Sequence, residues 1–169
     1  FNAITAFGQA LKEDSNLFLK IIGDGPLRSE LELYVKKLNL DDYVEFTGSV
    51  DNDLALAEIK KSSLLVLPNI AKEGWGVVVN EALLAGTPVV CTKYTGANCL
   101  LTNGLVGKVI EANDTFELKK TIVNTDSFNK EEIKILSYNM ISTNTVAHYL
   151  KDILARKDAK PIPPWRNKK

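Results

Sequence analysis

The feature that most constrains this chain is a regular alternation of short apolar runs with amphipathic stretches of helical period. "NLFLKIIG" (16–23), "YVEFTG" (43–48), "SLLVLP" (63–68), "TPVVCT" (87–92) and the weaker "VGKVIE" (106–111) are too short for buried helices. Their bounding Gly and Pro residues and their β-branched and aromatic content read as strands. The segments between them repeat differently. Leu27, Leu31, Tyr34, Val35 and Leu38 make one helical stripe, with Pro26 tolerated in its first turn. "DNDLALAEIKKS" has an acidic, cappable start, and "VVVNEALLAG" is stopped by Gly86. A helix opens the chain on Ala3, Phe7, Ala10 and Leu11, and further helices are expected near 114–124, 129–141 and 143–157.

Short strands alternating with helices must pair in parallel, with helices on both faces. The expected fold is therefore α/β, a Rossmann-like, doubly wound parallel sheet. At 169 residues the chain suits one domain. We assign 1–157 to it and treat the Pro- and Lys-rich 158–169 as a frayed tail. The chain opens inside a helical pattern, without an initiator Met or a preceding strand, and reads as a fragment cut at a domain boundary.

Composition then excludes several classes. Lys plus Arg equals Asp plus Glu, at 21 each, so no global field favours nucleic acid or a membrane surface. Cys91 and Cys99 lack a metal spacing, and one histidine, His148, cannot complete a ligand set. His148 lies in an apolar helical pattern and reads as structural. No signal peptide is visible and no apolar run approaches the ~20 residues of a membrane span. The expectation is a cytoplasmic protein with reduced thiols and no metal.

Sheets of this kind bind ligands at the carboxyl ends of their strands. Gly23-Asp24-Gly25, Thr47-Gly48-Ser49 and the loop from Glu73 to Gly76 all fall there and should gather at one edge. In "EGWGVVVNEALLAGTPVV" Gly74 and Gly76 flank Trp75, so the backbone can approach a ligand without a Cβ in the way. The helix that follows aims free N–H groups and a positive dipole end outward, and a diphosphate is its natural guest. Glu73 would face a sugar, and Glu81, a turn into the helix, could accept from a vicinal diol. On residues alone, two solvated surface acids beside an ordinary loop fit as well. "GDGP" lacks the dinucleotide-site spacing and suits a tight strand-to-helix turn better than a backbone wall close to a nucleotide. "FTGSV" reads as a small wall for a base or as a strand end before a cap, "TGANCLL" as a plain loop, and Trp75 as a brace for its loop.

Taken together, "GDGPLRSEL" (23–31), "VEFTGSV" (44–50), "LLVLPNIAKEGWGVVVNEALLAGTPVVCT" (64–92) and "GLVGKVI" (104–110) resemble the C-terminal, donor-binding half of GT-B fold glycosyltransferases of the large retaining family GT4. The match covers roughly 17–110 and continues more loosely through the C-terminal helices. The resemblance implies transfer of a hexosyl group from a UDP-, GDP- or ADP-linked sugar, in polysaccharide or glycoconjugate synthesis. It implies that Glu73 contacts the donor sugar and supports the transfer, and that Glu81 binds the ribose. Backbone N–H groups of Trp75, Gly76 and Val77, beside Gly74, would meet the diphosphate and sugar, while Gly23, Gly25, Gly48 and Val50 line the nucleotide end. It implies no cofactor and no metal, and assembly at the inner face of a membrane, with the parent protein peripherally associated.

Three departures follow. The Arg and Lys that such proteins aim at the phosphates would precede Phe1, in a first strand this chain lacks. The N-terminal acceptor domain is likewise outside it, so the fragment alone is expected to be inactive. Cys99 stands roughly where relatives often carry a Glu. The competing readings are a GT-B-fold sugar-nucleotide epimerase or phosphorylase, and a non-catalytic Rossmann-like assembly domain. The first two would need histidines or a pyridoxal-lysine motif not seen here.

Overall fold

The computed structural model describes residues 1–72, 74–101 and 104–141. The expected helix at 143–157, His148 and the tail at 158–169 lie outside them. The order of elements follows the sequence pattern: α1 (Asn2–Ala10), β1 (Leu19–Ile22), α2 (Arg28–Lys37), β2 (Val44–Gly48), α3 (Asn52–Lys61), β3 (Leu65–Leu67), α4 (Val77–Ala85), β4 (Val89–Thr92), β5 (Gly107–Ile110), α5 (Thr115–Val123) and α6 (Lys130–Ile141). Short 3-10 turns at Asp41–Tyr43, Gly96–Leu101 and Thr125–Ser127 complete it. Pro26 precedes α2 rather than entering its first turn, and the Arg28 amide closes that turn on Gly25 O at 3.0 Å.

All strand pairing is parallel, but it falls into two sheets instead of one: β1 pairs with β2, and β3, β4 and β5 form the second sheet in that order. The strands of the second sheet are apolar on both sides because both sides are covered. Leu65, Leu67, Val89 and Cys91 join Val79 and Leu83 of α4 and Ile133 of α6 in the largest core cluster. Leu64, Val66, Val90 and Ile110 face Ala6 of α1 and Leu118 of α5. Every residue of β4 is buried, as its central place requires.

The smaller sheet is covered differently. Leu19, Ile21, Val44 and Phe46 pack with Ile4 and Phe7 of α1 and with Leu31, Tyr34 and Val35 of α2. Lys20 instead meets Glu45 at 3.3 Å and Glu58 of α3 at 2.7 Å. Glu58 holds the Lys20 ammonium in its charged form, and Lys20 in turn lowers the Glu58 pKa. Helix α1 is thus shared: its Ile4–Phe7 surface serves one sheet and its Ala3–Ala6 surface the other. Carboxylates fasten two helix starts. Asp51 accepts from Leu54 N at 2.8 Å, and Asp114 from Glu117 N at 3.0 Å.

Candidate functional site

The candidate residues form two groups, each at the carboxyl ends of its own strands. In the first, Gly23 N donates to Gly48 O at 2.9 Å and ties the turn after β1 to the end of β2. Gly23 has φ +119 and Gly48 φ +70, conformations that L side chains rarely adopt. A Cβ at Gly23 or Gly25 would meet nothing within 4 Å, so both present open backbone. Gly48 differs. Its missing Cβ leaves room for Arg28, whose Nη1 would lie 3.0 Å from that atom. Val50 follows, half-buried, just before α3.

The second group surrounds the start of α4. Its N-cap is Gly76, at φ +80 and ψ 63, and no side chain caps the helix. No hydrogen bond among the described residues engages the amides of Trp75, Gly76 and Val77. The loop is held by its carbonyls instead, with Gly96 N donating to Gly74 O at 3.1 Å and Ala97 N to Trp75 O at 2.7 Å. That grip leaves no space for a Cβ at Gly96, which would lie 2.9 Å from Gly74 O. Beneath it, Thr92 Oγ1 donates to Asn69 O at 2.7 Å and Asn69 Nδ2 to Thr95 Oγ1 at 3.2 Å. The buried Thr92 and Thr95 therefore lock the loops after β3 and β4 together.

Gly74 opens onto free space, whereas a Cβ at Gly76 would lie 2.8 Å from Thr95 Cγ2. Trp75 is half-exposed and its Nε1 donates to Asn80 Oδ1 at 3.0 Å, the brace expected of it. Val77 is exposed. Glu81 is half-buried, and its carboxylate has no hydrogen bond or ion pair among the described residues. Glu73 lies outside the described residues. The hydrogen bonds described run within each group rather than between the two.

Sequence reasoning overlooked two parts of this arrangement. The sequence marks Arg28 only as part of a motif, yet its guanidinium meets Glu32, Asp24 and Phe46 O and packs against Gly48. The "TGANCLL" loop is a 3-10 segment clamped to Gly74 and Trp75, and its signal was the small pair Gly96-Ala97. Among the described residues, no cluster of His, Cys, Asp and Glu is arranged to hold a metal ion. No helix among them is long and apolar enough to cross a membrane.

The family described as "Glycosyl transferases group 1" matches residues 1–155. An uncharacterized glycosyltransferase of Methanocaldococcus jannaschii is 32% identical over 122 residues, covering 72% of this chain and 34% of that protein. The Anabaena HepE structure in complex with UDP and glucose superposes with a TM-score of 0.73 at 22% identity, over 91% of this chain and 44% of that one. The C-terminal domain of the group 1 protein LpcC from Francisella tularensis gives 0.69 at 22% identity, over 82% of this chain and 73% of that one. This chain therefore belongs to the glycosyl transferases group 1 family and has the fold of a GT-B domain. It spans about a third of the length of its archaeal relative.

Proposed function

We propose that this member of the group 1 family is the donor-binding, C-terminal domain of a retaining glycosyltransferase. It would move a hexosyl group from a nucleoside-diphosphate sugar to an acceptor, in polysaccharide or glycoconjugate synthesis, without metal or cofactor. The observation that carries the reading is the start of α4: amides at Trp75–Val77 and a half-buried carboxylate, Glu81, none of which has a hydrogen-bond partner among the described residues. A carboxylate that accepts from no neighbouring donor has its lone pairs available to a ligand. A ribose diol supplies two donors to it, while the amides and the helix dipole meet the diphosphate. Similarity to a protein solved with UDP and glucose supports the same assignment.

Cleavage of the sugar–phosphate bond builds positive charge at the anomeric carbon and negative charge on the departing diphosphate. Amides already aimed at the second charge need no reorganisation as it forms, which is usually the largest catalytic contribution. Glu73, next to Gly74, is assigned the sugar hydroxyls and support of the transfer; the Gly23–Gly25 turn, Gly48 and Val50 are assigned the nucleotide end.

The divided sheet favours the accompanying domain reading. Among the described residues β1 and β3 each have one edge unpaired, α1 serves both sheets, and one more parallel strand between them would make the sheet continuous. We assign that strand, and the cations for the phosphates, to chain preceding Phe1, and acceptor binding to a further domain. Peripheral association at the inner face of a membrane belongs to the same proposal.

The test is titration of the full-length protein with UDP, GDP and ADP, with Glu81→Gln in parallel. Binding by one nucleotide, weakened at least tenfold in Glu81→Gln at unchanged melting temperature, is the expected result, each tenfold being about 1.4 kcal/mol. No binding of any nucleotide by the wild type would refute the reading. In the 169-residue chain alone the helix terminus contributes at most about 2 kcal/mol, against roughly 8 kcal/mol for micromolar affinity, so millimolar binding is expected there.

A further inference from the structure

We infer that Arg28 is a positioning residue for the nucleotide end of the site, holding the turn after β1 and the end of β2 in one fixed arrangement. The inference rests on the donor-domain reading but concerns a residue that reading does not use. Arg28 sits at the first position of α2, half-buried, and its guanidinium is engaged on every side. Nε donates to Glu32 Oε1 at 2.9 Å, Nη1 to Asp24 Oδ2 at 3.2 Å, and Nη2 reaches Phe46 O at 3.5 Å. Its Nη1 stands against Gly48, 3.0 Å from where a Cβ would be.

Asp24 links the parts, since its other oxygen, Oδ1, accepts from Gly25 N at 2.7 Å. One carboxylate therefore shapes the turn and grips the cation that packs on Gly48, while Gly23 N closes the ring onto Gly48 O. The open backbone at Gly23 and Gly25 keeps its place because Arg28 is behind it. The guanidinium spreads its donors over a rigid planar fork that meets Asp24, Glu32 and Phe46 O at once, whereas an ammonium is a point charge on a flexible stem. Without Arg28, Asp24 and Glu32 would also be left as two uncompensated carboxylates beside a site assigned to an anion.

The experiment is calorimetric titration of the full-length protein with UDP, GDP and ADP, with amide shifts recorded at both groups. The variants are Arg28→Ala, Arg28→Lys and Glu32→Gln, with Glu81→Gln as the control. Arg28→Ala should weaken the preferred nucleotide roughly tenfold, and Arg28→Lys by an intermediate factor, as expected for lost charge-assisted contacts. Ligand-induced shifts should fade at Gly23, Gly25 and Gly48 and persist at Gly74–Val77. A role in stability alone would lower the melting temperature and leave affinity and the shift pattern unchanged, and that result would overturn the inference. So would full binding by Arg28→Ala in a protein whose Glu81→Gln variant fails to bind, an outcome that spares the donor-site reading. If the wild type binds no nucleotide, the reading fails and takes this inference with it.

Discussion

Gly76→Ala tests whether the start of α4 is shaped by packing within the protein as well as by a ligand's need for space. The φ of +80 puts an L-residue in the left-handed region, at a cost of roughly 1–2 kcal/mol. The new Cβ would also stand 2.8 Å from Thr95 Cγ2. Thr95 has no exposed surface, its Oγ1 accepts from Asn69, its amide donates to Thr92 O at 3.1 Å, and its carbonyl accepts from Asn98 N. The methyl group therefore has nowhere to turn, and such overpacking costs about 1–3 kcal/mol. Urea denaturation should show a total loss of about 2–5 kcal/mol. Thr95→Ser keeps the hydroxyl that Asn69 uses and deletes only the methyl. In the double variant the overpacking portion should return, leaving the backbone cost, so the cycle should show a coupling of about 1–3 kcal/mol. A Gly76→Ala loss below about 0.5 kcal/mol, or simple additivity in the double variant, would refute the packing argument.

Two other perturbations read the core beneath the site. In Gly107→Ala the Cβ would fall 2.0 Å from Val89 O, within the β4–β5 ladder, where no side chain can yield. Circular dichroism melting should show loss of the folded state or a penalty above about 4 kcal/mol, and near-normal melting would contradict the register. Burial pushes the Cys91 thiol up to about 11 from its ordinary 9.0. About a thousandth is therefore thiolate at pH 8, and half-buried Cys99 should be alkylated first. Equal labelling rates by mass spectrometry would overturn that. The linked stability is intact below pH 9 and is lost as pH rises from 9 to about 11, because only the unfolded thiol ionises there. Cys91→Ala should flatten that slope.

Much of the fold was legible because its determinants are local. Gly86 stops α4 in the left-handed conformation at φ +83, and Asp51 and Asp114 cap the helices that follow them. The alternation along 63–68 and 87–92 exposes one set of side chains to α4 and α6 and the other to α1 and α5. The division into two sheets was legible only in part: a missing first strand was expected, but not that β1 and β3 would stay unpaired without it. Parallel pairing depends on which strands lie side by side across helical crossovers, and no residue within a strand encodes its neighbour.

The site was legible at the level of position and less so at the level of cause. Glycines at strand ends read as places where a ligand meets bare backbone, and at Gly23, Gly25 and Gly74 the space above the backbone is indeed open. At Gly48 and Gly76 the protein itself fills that space, with Arg28 in one case and Thr95 in the other. A sequence cannot separate these two uses of glycine, because the filling residues stand 20 and 19 positions away and reach the site only through the folded sheet. The distinction matters for chemistry. The filled glycines fix the two loops against the scaffold, and the open ones and the uncommitted amides at the start of α4 form the surface such fixing can present. A donor site must hold its dipoles in place before charge develops on a leaving group. The residues that do so are therefore to be sought behind the open backbone, where Arg28 and Thr95 stand.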